Sequence, residues 1–288
     1  MSRRRLPYHD LLSSSGVEEG ELTLEPGSHV RTWLYFLHGL YGAGRNWRSV
    51  ARRVVDARPR WGAVLVDLCL HGGSRGSGPP HTVMGCASNV RSLARGHEGP
   101  PATALLGHSF GGKVALSYLR AAPDDMPVPR QIWVVDSTPS ARVPGGSATR
   151  MLGVVRSLPA SFASRSEAVA GLVEAGFAEP LALWMTTNLE RSGGRYVWRL
   201  DFEALEELLE DFFRTDLWDM VEDPPVGAEI RFIRASDSDV LTESDCERVR
   251  EAGRLRPVHL HVVAGGHWLN ADNPEALVRL LVDHLPES

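Results

Sequence analysis

The chain has 288 residues, 43% hydrophobic and 23% charged, close to the composition of ordinary globular domains. A polymer of this length buries about three quarters of its unfolded surface without covalent staples, so a collagen, a coiled coil and a mainly disordered chain are excluded. With 31 basic against 36 acidic residues the net charge is −5, which supplies no global basic field for nucleic acid or an anionic membrane. Lys113 is the single lysine, and the arginine bias reads as genomic base composition with no sign of phosphate recognition. Cys69, Cys86 and Cys246 are far apart and odd in number, which predicts buried thiols and neither a disulfide framework nor a metal pair. The start, Met1–Pro7, is basic but is followed by no apolar region, so no secretory signal is expected. No run of 18 apolar residues predicts a membrane span, and the expected location is cytoplasmic.

In chain order, residues around Tyr8–Leu12 and Glu21–Leu24 are candidates for antiparallel leading strands. Short apolar runs then recur at Trp33–Leu37, Ala63–Val66, Ala104–Leu106, Ile132–Val135, Ile230–Ile233 and Val258–Val263. Each is too short for a helix and fits a strand buried on both faces. Trp47–Ala57, Met84–Leu93 and Ser109–Ala122 lie between them with helical apolar spacing. This alternation predicts βα units and a mostly parallel sheet. Pro139 to Pro225 breaks it: Ser166–Ala175, Pro180–Asn188 and Phe202–Phe213 are helical in pattern, and no buried strand is evident. The predicted organisation is a core of residues 1–138 and 226–288 with a helical cap, 139–225, inserted between two strands and roofing the strand ends.

The chemistry concentrates in Ala104-Leu-Leu-Gly107-His-Ser109-Phe-Gly111-Gly112. An apolar strand entering G-x-S-x-G and leaving directly as a helix is the context a nucleophile elbow requires. Ser109 is the expected nucleophile, with the helix N-terminus aimed at the reacting oxygen. A serine needs a base, and among 11 histidines His267 stands out, on the Gly-rich loop after the last predicted strand. His108 precedes the nucleophile and is expected to point away from it; His259 and His261, inside a strand, read as structural. Two acids compete to orient the imidazole: Asp136, ending the strand after the nucleophile helix, and Asp239, after the next. The loop His38-Gly39-Leu40-Tyr41-Gly42-Ala-Gly44 fits neither a dinucleotide fingerprint nor a Walker lysine. It predicts an oxyanion hole from the Leu40 and Phe110 N–H groups, with His38 bracing the loop. Leu181, Leu183, Trp184, Met185, Phe212 and Phe213 offer apolar surface for an acyl group; Trp184, Met185 and Trp268 are the expected substrate contacts.

These pieces resemble the α/β-hydrolase superfamily in order and spacing: the His38-Gly39 loop, Asp67 with His71-Gly72-Gly73-Ser74, Gly107–Gly112, and Gly266-His267-Trp268 followed by Asn273-Pro274. Asp136-Ser-Thr-Pro139 and Gly194-Arg-Tyr-Val-Trp-Arg-Leu200 are similar to the capped small-ester hydrolases of the α/β-hydrolase-domain-11 kind and related bacterial esterases. The resemblance implies an eight-stranded, mostly parallel sheet with the cap between strands 6 and 7. It favours Asp136 over Asp239 as the triad acid and makes Asp67 and His71 structural. Where those relatives carry Arg-Asn, this chain has Cys69-Leu70. The implied activity is hydrolysis of a small carboxylic ester, thioester or lactone through an acyl-enzyme, with a small acyl ester as partner and neither metal nor organic cofactor. C–C bond hydrolysis and cofactor-free perhydrolysis employ the same triad, and a non-catalytic small-ligand receptor is the reading from a different class.

Overall fold

The structure, a computed structural model, describes residues 9–13, 16–19, 30, 32–95, 101–120 and 127–287. The N-terminal basic stretch and the expected strand Glu21–Leu24 lie outside the described residues. The main sheet contains β1 (His9–Ser13), β2 (Gly16–Glu19), β3 (Thr32–Leu37), β4 (Trp61–Val66), β5 (Ala104–His108) and β6 (Gln131–Val135). β10 (Glu229–Ala235) and β11 (Val258–Val263) complete it, in the order β11-β10-β6-β5-β3-β4-β1-β2. The six strands from β11 to β4 are parallel; β1 and β2 form an antiparallel hairpin on the β4 edge. Parallel pairing requires crossovers, and α1 (Arg48–Ala57), α2 (Val83–Arg95), α3 (Phe110–Arg120), α9 (Glu243–Ala252) and, after β11, α10 (Leu269–Asp272) and α11 (Pro274–His284) flank the sheet.

Strand period divides the apolar residues between the two faces. Leu34, Phe36, Ala63, Leu65, Ala104, Leu106, Trp133 and Val135 pack with α1 and α11. Tyr35, Leu37, Val64, Val66, Leu105, Ile132 and Val134 pack on the other side with α2, α3 and the insertion. All are buried, so polar replacement has no orientation in which to reach water.

After β3 the chain steps to β4, then returns to β3's other side as β5. The loops leaving β3 and β5 therefore part in opposite directions and open a crevice at their carboxyl ends, where ligands bind in open α/β sheets.

Residues 136–228 form the insertion between β6 and β10. It contains α4 (Gly146–Ser157), α5 (Arg165–Glu174), α6 (Glu179–Met185), α7 (Phe202–Arg214) and α8 (Trp218–Glu222). Contrary to the purely helical expectation, it also holds an antiparallel sheet, β7-β9-β8, of β7 (Ser161–Phe162), β8 (Leu189–Ser192) and β9 (Arg195–Trp198). Gly193-Gly194, with φ +57° and +82°, makes the two-residue hairpin turn between β8 and β9. These strands are mostly exposed or half-buried, so they lack the apolar run that reveals a core strand. Lys113 clamps the insertion to α3. Its buried ammonium donates to the carbonyls of Ser140 (2.8 Å), Phe212 (2.8 Å) and Thr215 (2.7 Å).

The expectation of three unpaired thiols is also corrected. Cys69, after β4, and Cys86, on α2, are joined in a disulfide with Cα atoms 5.7 Å apart; Cys246 is free and buried. The crossover from β4 to α2 folds the chain back on itself and brings together two cysteines 17 positions apart in sequence. No helix among the described residues is long and apolar enough to cross a membrane.

Candidate active site

Ser109 occupies the turn from β5 to α3 with φ +52°. Its N–H donates to the Val135 carbonyl at 3.0 Å, and its own carbonyl accepts from the Ser137 hydroxyl at 2.6 Å. The turn closes only around glycine: a Cβ on Gly107 would stand 2.0 Å from the Gly111 carbonyl oxygen, and one on Gly111 would stand 2.5 Å from that of Leu37. Phe110 begins α3, so its N–H lies in the first turn, where helix donors have no partner within the helix.

Asp136 follows β6 with φ +42° and is fully buried. Its Oδ2 lies 2.6 Å from His267 Nδ1 and accepts from the Ser238 hydroxyl at 2.6 Å; Oδ1 accepts from the Ala235 N–H at 3.1 Å. Burial raises the Asp136 pKa, but the hydrogen bonds from His267, Ser238 and Ala235 outweigh it and hold the carboxyl below its ordinary value. Of the two candidate acids the structure brings Asp136 to His267; Asp239 is exposed beside Ser238. Ser109 and His267 line one pocket, and no hydrogen bond joins Ser109 Oγ to the ring in this structure. Catalytic bonds of this kind often tighten only when substrate is present.

Three neutral histidines brace the site. His38 donates from Nδ1 to the Gly39 carbonyl (2.8 Å), and its Nε2 accepts from the Leu68 N–H (2.9 Å). His71 donates from Nδ1 to the Cys69 carbonyl (2.7 Å), and its Nε2 accepts from the Tyr41 N–H (3.0 Å). His108 donates from Nε2 to the His267 carbonyl at 2.7 Å. Burial lowers their pKa values to about 4 for His38, about 3 for His71 and about 3 for His108. The His108 ring lies 4.6 Å from that of His267 and borders the pocket. Asp67 ties the two loops, accepting from the N–H groups of Gly44 and Gly73 at 2.7 Å each.

The pocket is lined by Leu40, Tyr41, Ser109, Trp184, His267 and Trp268, joined by Met151, Ser147 and Ala148 of α4. Trp184 and Trp268 meet with ring centroids 4.6 Å apart. Leu181 and Trp184, three apart on α6, share the face that reaches the pocket. Met185 does not line it; one position on, it is fully buried in the main hydrophobic cluster. Phe212 and Phe213 also pack in that cluster, and Leu183 is exposed. Sequence reasoning missed the α4 residues, whose types carry no chemical signature, and Ser238, one residue before a rejected acid.

The profile of the Alpha/beta hydrolase family matches residues 34–280, and the chain belongs to this family. It is similar to the sn-1-specific diacylglycerol lipase ABHD11 of Mus musculus, 28% identical over 280 residues, with 91% of this chain and 86% of the relative covered. It is also similar to Esterase Rv0045c of Mycobacterium tuberculosis, 30% identical over 260 residues and covering 85% of this chain and 80% of that one. Among solved structures, a marine microorganism esterase shares the fold with a TM-score of 0.77 and 24% identity, over 97% of this chain and 99% of that one.

Proposed function

We propose that the protein is a serine hydrolase of small carboxylic esters acting through an acyl-enzyme. The contact that carries this reading is His267 Nδ1 on the buried, hydrogen-bonded Asp136 carboxylate, with Ser109 in the same pocket. Asp136 holds the Nδ1–H tautomer, which leaves Nε2 to take the Ser109 proton as the hydroxyl attacks the ester carbonyl. The N–H groups of Leu40 and Phe110 stabilise the tetrahedral oxyanion. Protonated His267 then gives its proton to the leaving alcohol, and the acyl-enzyme is hydrolysed by water activated at the same ring. Relatives named as esterases and a lipase support ester chemistry. The apolar side chains of Met151, Leu181 and Trp184 in the pocket with Ser109 support an apolar acyl group. Residues 139–225 act as the cap, delivering Met151, Leu181 and Trp184 to the acyl group.

Purified protein is expected to turn over p-nitrophenyl acetate and butyrate faster than long-chain esters and to be labelled by a fluorophosphonate at Ser109. Labelling that survives Ser109→Ala would refute the nucleophile assignment.

A further inference from the structure

Four arginines converge on one short stretch of the insertion, next to the pocket. After presenting Leu181 and Trp184, α6 gives way to the turn Thr186–Asn188 and then β8. Arg45 Nη2 (3.5 Å) and Arg199 Nη2 (2.8 Å) both donate to the Thr187 carbonyl. Arg165 donates to the carbonyls of Thr186 and Leu189. Arg75 Nη1 pairs with Glu190 at 3.0 Å. Arg45 and Arg75 come from the loops after β3 and β4, and Arg165 and Arg199 from the insertion, so the cluster spans the seam between core and cap. Asn188 crosses the same seam, donating from Nδ2 to the carbonyl of Tyr41, a pocket residue, at 2.9 Å.

Like charges gathered in a chain of net charge −5 call for an explanation. Burial, then Arg75 and Arg45, lower the Arg199 pKa, and Glu190 opposes them. Arg199 Nε is buried and meets no acceptor. Arg45, Arg75 and Arg165 are exposed. Each guanidinium carries five N–H donors in a planar fork suited to phosphate oxygens. Glu190 pairs with Arg75, whereas Arg45, Arg165 and Arg199 rest on uncharged backbone carbonyls, so the cluster keeps positive charge suited to a multiply charged anion.

We propose that Arg45, Arg75, Arg165 and Arg199 form a subsite for a phosphate group carried by the leaving alcohol of the ester. This rests on the hydrolase reading for the position of the scissile bond. The acyl group occupies the pocket beneath Trp184, and the alcohol portion runs along the wall of Tyr41 to the cluster at the seam.

Two measurements test it. Pyrophosphate is titrated calorimetrically into Ser109→Ala protein, so that binding is read whether or not the chain hydrolyses esters. Saturable binding is expected, weakened about tenfold by the exposed Arg75→Gln and by Arg199→Gln, as loss of a charge-assisted bond predicts. Arg254→Gln, removing a partner of Glu251 on the surface, should leave binding unchanged. Next, kcat/KM is compared for 6-acetoxyhexyl phosphate and hexyl acetate. The phosphate ester is expected to be favoured about tenfold by the wild type, and that preference to fall in Arg75→Gln. Absent binding, or binding weakened equally by Arg254→Gln, overturns the anion site. Binding without preference between the esters makes the anion a free ligand and overturns the leaving-group assignment. Turnover of neither ester, with pyrophosphate still bound, overturns the hydrolase reading and the leaving-group assignment with it, while the anion site stands.

Discussion

Asp136 adopts a backbone conformation that non-glycine residues avoid, and the strain has a use. With φ at +42° its carboxylate turns toward the end of β10, where the Ala235 N–H and Ser238 hydroxyl hold it, and Oδ2 is left facing His267. Asp136→Asn should lower kcat by about 10⁴-fold, as loss of a triad acid does elsewhere, while the exposed Asp239→Asn should stay within about twofold of wild type. Steady-state rates on p-nitrophenyl acetate check both. Ser238→Ala removes one of the bonds that depress the Asp136 pKa, so that pKa rises and activity begins to fall at a higher pH on the acid side. A pH–rate profile identical to wild type would rule out this positioning role. Sequence spacing could not choose between Asp136 and Asp239, because each follows a strand whose end could face His267. Although β10, and not β6, is the strand beside β11, it is the Asp136 carboxylate that meets His267, while Asp239 is exposed.

Among the elements, the βα crossovers were the most legible, since strands buried on both faces must read as continuous apolar runs. The insertion was legible only in its helices. β8 and β9 hide because their side chains face water, and α6 shows how one helix divides adjacent residues between pocket and core, Trp184 to one and Met185 to the other. The insertion is held by a cation as well as by apolar packing. Burial lowers the Lys113 pKa to about 8, so the ammonium remains mostly charged at pH 7 and can donate to all three carbonyls. Lys113→Met keeps the stem but leaves those carbonyls without their donor. It should cost about 2–4 kcal/mol in a urea unfolding series and expose the insertion to proteolysis before the sheet.

For the whole molecule, the buried histidines set acid tolerance. His38, His71 and His108 resist protonation when folded, with values of about 4, 3 and 3, whereas the unfolded chain takes protons near the ordinary value of about 6.5. Folded values below unfolded ones mean that stability is complete above pH ~6.5 and is lost as pH falls toward the folded values, by about 1.4 kcal/mol per pH unit per histidine. Asp136, with its pKa also lowered, adds a loss of the same sign through the carboxylate range. Melting temperatures measured between pH 7 and 4 should fall steeply. The slope should flatten by about one proton in His71→Gln, which keeps an acceptor for the Tyr41 N–H.

The partner of Asp136 is 131 residues away along the chain, and the entire insertion is synthesised between them. A translating ribosome therefore exposes the serine turn and Asp136 well before it releases His267, the base of the proposed mechanism. On the proposed mechanism, a chain halted upstream of residue 267 keeps the Ser109 turn but lacks the base that would activate it.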